Sequence, residues 1–197
     1  MMFGIDVSVW QGVINFDKVI LDKKHPEFIF IKATQGTKLV DSKLTRNATE
    51  AKRVGLKIGY YHFVNLNTKD VVKSATAQAL HFLKAIHDLP MNDLPLAIDI
   101  EKEEIDLNPN EFALFLTTFI DILKGAGRTY CIYSGYYFLN GNLPVNHSFG
   151  SVPLWHAQYT DATTPRIAKG WQSAFCWQYS SKGSIDGIRG NVDLNRM

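Results

Sequence analysis

The stretch "LPLAIDIEKEE", Leu94–Glu104, decides how this chain is read. A short apolar, β-favouring run ends abruptly in Asp99, Ile100 and Glu101. Side chains alternate across a strand, so Asp99 and Glu101 share a face with Ala97, while Leu96, Ile98 and Ile100 point the other way, towards covering helices. In a parallel βα barrel the working end is the C-terminal end of the strands, which would stand both acids at the rim of the interior. Two neighbouring carboxyls oppose each other's ionisation, so one keeps its proton while the other stays charged. That split places a proton donor beside an anion, as cleavage of an acetal requires. Glu101, nearer the mouth and on the longer side chain, is the expected donor, and Asp99, deeper, the expected stabiliser of positive charge. The competing reading takes the acids as helix caps or solvated loop residues, because "EKEEIDLN" continues with charge. Alone, Asp-x-Glu is too short a pattern to choose between the two.

The surrounding chain favours the barrel. Strand-like runs occur at 3–8, 28–33, 57–63, 94–101 and 130–135, with helical stretches around 16–24, 43–54, 70–88 and 109–125 between them. The last helix has the clearest signals: Asn108 as cap, Pro109 at the first helical position, Glu111 completing a capping box. Phe112, Phe115, Leu116, Phe119, Ile120 and Leu123 then repeat at three and four and define one buried face. Strand–helix units of about 30 residues imply parallel strands with right-handed crossovers. After residue 130 the helical signal fades, and 152–159, 173–181 and 187–195 read as further strands. The expectation is a single α/β domain spanning 1–197, an irregular TIM-like (β/α)5(β)3 barrel. An open doubly wound sheet is the alternative, without the GxGxxG that a dinucleotide site would place after the first strand. Barrel closure makes the first and last strands neighbours, so Asp6 of "GIDVS" and Asp193 of "GNVDLN" would join Asp99 and Glu101 in one pocket.

Composition narrows the function. With 46% hydrophobic and 20% charged residues the chain is an ordinary globular protein. A net charge of +2 without a Lys/Arg cluster argues against nucleic acid. Twelve Phe, eight Tyr and four Trp fill a core and also offer flat platforms for sugar rings. Cys131 and Cys176 lie inside apolar, aromatic runs and read as buried free thiols. The six histidines show neither HExxH nor zinc spacing, so no metal and no cofactor is expected. "IYSGY" around Ser134 is not a G-x-S-x-G nucleophile elbow. No signal peptide is visible and no apolar run reaches the ~18 residues that span a bilayer.

"FGIDVSVWQGVINF", "FIFIKATQGT", "GYYHF", "LAIDIE", "YSGYYF", "LWHAQY", "WQYSSKGSIDGI" and "NVDLN" follow one another across nearly the full length. In that order they closely resemble the glycoside hydrolase family 25 lysozymes, the N-acetylmuramidases. The resemblance implies a flattened barrel of five βα units followed by three strands. It also implies hydrolysis of the β-1,4 bond between N-acetylmuramic acid and N-acetylglucosamine in peptidoglycan. By motif, Glu101 matches the general acid, and Asp99 the anion that orients the acetamido group or stabilises the oxocarbenium. Asp6 and Asp193 match supporting acids, and Tyr61 a residue beside the reacting sugar. Trp155, Tyr133 and Gln178 match groove-lining positions, with a core role open for each, while Trp10 and Trp177 read as core or core-edge residues. One departure stands out: the family commonly reads KATEG where this chain has Lys32, Ala33, Thr34, Gln35 and Gly36. Gln35 cannot ionise, which points to altered subsite binding or loop structure rather than lost activity. Substrate assistance, a glycosyl-enzyme intermediate and direct inversion are not distinguished by spacing.

Two rival functions share this frame: a chitinase-like N-acetylhexosaminidase, and a glycan-binding pseudoenzyme. The expected partner is the glycan strand of bacterial peptidoglycan, met by a monomer without a separate wall-binding module. A chain made in the cytoplasm would reach the wall through a holin-type lesion or dedicated export, as an endolysin or an exported effector does.

Overall fold

The computed structural model describes residues 1–101 and 107–197. The charged continuation 102–106, read above as a cap or solvated loop, lies outside the described residues. In chain order the elements are β1 (Phe3–Val7), α1 (Phe16–Val19), β2 (Phe28–Gln35), β3 (Leu39–Val40), α2 (Leu44–Arg53), β4 (Lys57–Phe63) and α3 (Val71–Ala85). They continue with β5 (Leu96–Asp99), α4 (Pro109–Gly125), β6 (Tyr130–Gly135), α5 (Tyr136–Asn142), β7 (Leu154–Ala157), β8 (Cys176–Gly183) and β9 (Val192–Arg196).

Among the described residues one sheet runs β1-β9-β8-β7-β6-β5-β4-β2-β3, and β1 also pairs with β2. That second pairing closes eight strands into a barrel and leaves β3 as a short hairpin arm of β2. Pairing is parallel from β1 through β8 around the barrel, and β9 runs antiparallel to both its neighbours. The barrel expectation therefore holds, and closure sets Asp6 directly opposite Asp193.

Two apolar layers follow from strand alternation. The outward set, including Leu96, Ile98 and Ile100, packs with Ala75, Ala79 and Phe82 of α3 and Phe112, Phe115 and Phe119 of α4. His62 also faces outward, its ring 5.6 Å from Phe82 and 5.3 Å from Phe119. The inward set is Phe28, Phe30, Tyr61, Leu94, Ala97, Cys131, Tyr133, Trp155 and Cys176. Both thiols are free and buried there. Asn108 caps α4 as expected, taking the Asn110 and Glu111 N–H groups while Glu111 returns a bond of 2.9 Å to the Asn108 N–H.

The differences from the sequence reading are local. The first helix is a single turn, because Asn15 caps it and the chain turns off after Val19. The helical signal does not end at 130: α5 forms directly from β6, with Tyr136 and Tyr137 on its first turn. Its aromatics gave no amphipathic repeat, since Leu139 is its buried residue.

The floor of the barrel is filled by large rings over glycines. Phe28 on β2 pairs with Gly4 on β1, and Phe30 with Gly59 on β4. A Cβ at Gly59 would run into the Phe30 ring and lie 3.1 Å from Leu94 Cβ. Gly59→Ala should therefore lower stability in urea unfolding by about 1–3 kcal/mol, the usual cost of overpacking a filled core. An unchanged midpoint would contradict a filled floor.

Candidate active site

Each strand delivers one interior side chain to the C-terminal mouth, where Asp6, Lys32, Tyr61, Asp99, Glu101, Tyr133, Trp155, Gln178 and Asp193 line a pocket of about 190 Å³. That is space for about six waters, one ring-sized group, at ~30 Å³ per water. Glu101 stands just past the end of β5 and is held in strand register through Ile100. The Ile100 N–H donates to Tyr133 O at 3.0 Å, and Ser134 Oγ donates to Ile100 O. Glu101 also lines a second, open cleft of about 860 Å³ walled by Tyr136, Tyr137 and Phe138 on one side and Ala157–Thr160 and Arg166 on the other. That volume falls within the ~300–1,000 Å³ typical of ligand sites.

Asp99 is buried at 4% exposure, and its Oδ1 has no hydrogen-bond partner among the described residues. Burial raises its pKa well above the usual carboxylate value, the charge of Glu101 adds to the rise, and Lys32 opposes it. Burial is also the leading cause of the rise at Glu101; a hydroxyl bond from Tyr133 opposes it, Asp193 adds to it and Lys32 opposes it. Asp6 is raised by burial and then by Asp193, with which it shares a hydrogen bond. Asp193 is raised by burial too. Four carboxyls crowd the pocket and Lys32 faces two of them, Asp99 and Glu101, so the pocket retains protons that isolated acids would lose.

Lys32 is a site residue that the sequence reading passed over. On an unbroken strand Lys32 and Gln35 would face opposite ways. The register of β2 against β4 shifts between Lys32 and Thr34, and this bulge returns both to one side. Lys32 Nζ then donates to Gln35 Oε1 at 2.8 Å and lies 4.6 Å from the centre of the Phe63 ring. Gln35 thus stands behind Lys32 rather than in the pocket lining.

The aromatic residues divide by depth. Trp155 is buried at 1% exposure, stacked on Phe30 at 4.1 Å and edge-on to Tyr61 and Tyr133, so it supports the pocket from below. Its Nε1 donates to Asn195 Oδ1 at 2.8 Å. Tyr133 and Gln178 are likewise buried and bonded to protein groups. Trp10 departs from the expected core position and is 85% exposed at the pocket rim. Ser8 caps the short turn Val9–Gln11 reciprocally with Gln11, and Asp41 Oδ2 accepts the Val9 N–H at 2.8 Å, so a built rim presents Trp10 to solvent. Tyr159 was missed as well: it closes the run 152–159 with the parity of Trp155 but lies two residues beyond β7, and its hydroxyl reaches Gln178 Oε1 at 2.7 Å.

A βα barrel whose C-terminal mouth crowds carboxyls beside an open cleft is the architecture of a glycoside hydrolase. The chain belongs to the glycosyl hydrolases family 25, which its residues 5–188 match. It is 34% identical over 196 residues to the uncharacterized protein YegX of Escherichia coli K12, covering 98% of this chain and 68% of that protein. It is 34% identical over 200 residues to the autolytic lysozyme of Clostridium acetobutylicum, covering 98% of this chain and 55% of that protein. The crystal structure of the lysozyme from Streptomyces coelicolor superposes with a TM-score of 0.86 at 29% identity, covering 100% of this chain and 91% of that one.

The crowded acids have a thermodynamic consequence. Because folding raises the pKa of Asp6 and Asp193, it favours their protonated forms. That contribution is complete below the unfolded carboxylate value of about 3.9 and is lost as pH rises through the folded values. Asp193→Asn should therefore raise Tm at about pH 8 by about 2–4 °C, the response of a chain this size to about 1 kcal/mol, and by less at about pH 4. Equal shifts at both pH values would count against a repulsive cluster.

Proposed function

We propose that this chain is a lysozyme acting on the bacterial cell wall, cutting the β-1,4 bond between N-acetylmuramic acid and N-acetylglucosamine with Glu101 as general acid and Asp99 as its anionic partner. The observation that carries the assignment of roles is the buried carboxyl of Asp99 beside Glu101 in the ring-sized pocket, with Glu101 alone of the two also lining the open cleft. The 2-acetamido group of an N-acetylated sugar offers the complementary donor, and its N–H can only donate. In the free protein the larger rise is at Asp99, and an acetamido N–H donated to Asp99 favours its anion and moves the shared proton towards Glu101.

Glu101 sits where the closed pocket meets the open cleft. The sugar whose anomeric carbon reacts occupies the pocket, and the leaving group lies along the Tyr136–Phe138 wall. The acetamido oxygen, oriented through its N–H, attacks the anomeric carbon while Glu101 gives its proton to the departing oxygen. Water then opens the cyclic intermediate, returning a proton to Glu101 and regenerating the acetamide. Tyr61, buried beneath the pocket and flanked by Asp6 and Asp99, shapes the ring site. The match to the family and the autolytic lysozyme support a peptidoglycan substrate.

Digestion of purified peptidoglycan by the parent and by Glu101→Gln tests this. Loss of a general acid removes about 10²–10⁴ in rate, so the variant should clear at least ~100-fold more slowly. The parent's new reducing ends should be muramic acid. N-acetylglucosamine at the reducing end, or an active Glu101→Gln, would overturn the assignment.

A further inference from the structure

We propose that Gln178 is a positioning residue for the acid: its carbonyl takes the hydroxyl proton of Tyr133, so that the Tyr133 oxygen faces Glu101 as an acceptor and holds the carboxyl proton there. The inference rests on Glu101 being the proton donor and adds the residue that biases the proton towards it.

Hydrogen-bond direction sets the arrangement. The Trp155 indole N–H is a donor only, so the Asn195 oxygen must be the atom facing it at 2.8 Å. Asn195 Nδ2 is thereby turned onto Asp6 Oδ2, at 2.7 Å. Gln178 Nε2 meets the same Asp6 oxygen at 2.9 Å. With Oδ2 receiving two amide N–H groups, any proton on Asp6 sits on its other oxygen. The amide of Gln178 is oriented by its own contacts: Nε2 lies on the Asp6 carboxyl, and Oε1 faces two hydroxyls, Tyr133 at 2.9 Å and Tyr159 at 2.7 Å.

A carbonyl oxygen has two acceptor sites, and these two hydroxyls fill them. Tyr133 has one proton and two neighbours, Gln178 at 2.9 Å and Glu101 Oε2 at 3.3 Å. Gln178 can only accept at that atom, whereas a protonated Glu101 can donate. The arrangement that satisfies every atom runs Glu101 to Tyr133 to Gln178. A Tyr133 that donated to Glu101 instead would favour the ionised acid and work against a general acid. Glu101 is also faced by Asp99 from β5, Lys32 from β2, Asp193 from β9 and Tyr159 from beyond β7, so their charges must be common to the proteins compared.

The test follows the Glu101 carboxyl by 13C NMR in protein labelled at Glu Cδ, with the signal assigned by its absence in Glu101→Gln. In Gln178→Met the Tyr133 proton is released to the carboxylate, and the Glu101 titration should fall by about half to one pH unit, the scale of one hydrogen bond. In the Tyr133→Phe background the same substitution should leave only the smaller effect transmitted through Asp6. Gln178→Asn, which withdraws the carbonyl but keeps an amide, should move the titration in the same direction if Gln178→Met does not fold. The basic limb of the kcat/KM profile should move with it. A rise, no shift, or an equal fall with and without the Tyr133 hydroxyl would overturn the proposal. An active Glu101→Gln would instead remove the general-acid reading on which it stands.

Discussion

Closure of the barrel through β9 is the constraint on which the site depends. β9 inserts antiparallel between β1 and β8, and this pairing puts Asp6 against Asp193. Without it the acids at the two ends of the chain would be separate surface carboxylates with ordinary pKa values. With it, they line one pocket with the buried Asp99 and with Glu101 at its exposed rim, over a floor of Phe30 and Trp155. Loss of solvent is the largest cause of the raised pKa at all four acids.

The site is thus held at a cost in stability, as functional pockets commonly are. The fold offsets that cost where it does no chemistry: the rings over Gly4 and Gly59, the helix face from Phe112 to Leu123, and the capped start of α4. The division runs along each strand. Deep interior positions are apolar or thiol, and the acids, Lys32 and Gln178 gather at the mouth among Tyr61, Tyr133 and Trp155. A sugar enters a cavity that is apolar beneath and protonatable around its rim.

Much of this was legible in the sequence because strand alternation is a strict rule. It sent Ala97, Asp99 and Glu101 inward together, and Tyr61 inward while His62 faced the helices. It also made Asp6 and Asp193 partners once a closed barrel was assumed. Most of what escaped lay where the rule breaks. Lys32 itself keeps the alternation of Phe28 and Phe30, but the β2 bulge turns Gln35 out of it and sets that residue behind Lys32. Tyr159 lies past a strand end, and Trp10 rides on a short capped turn whose direction no periodicity reveals. Helix α5 escaped because its apolar residues do not repeat along one face. Trp155 and Gln178 were associated with the groove, but their depth depends on packing across the barrel, which one strand's residues do not encode.

The central claim is that the crowded pocket holds one proton on Glu101 and none on Asp99 when an acetamido sugar is bound. A neutron structure of the complex with an N-acetylated disaccharide measures this directly. A deuteron is expected on the Glu101 carboxyl, with a bare Asp99 and the acetamido N–D directed at the Asp99 carboxylate. A deuteron on Asp99, or an acetamido group turned away from it, would contradict the account.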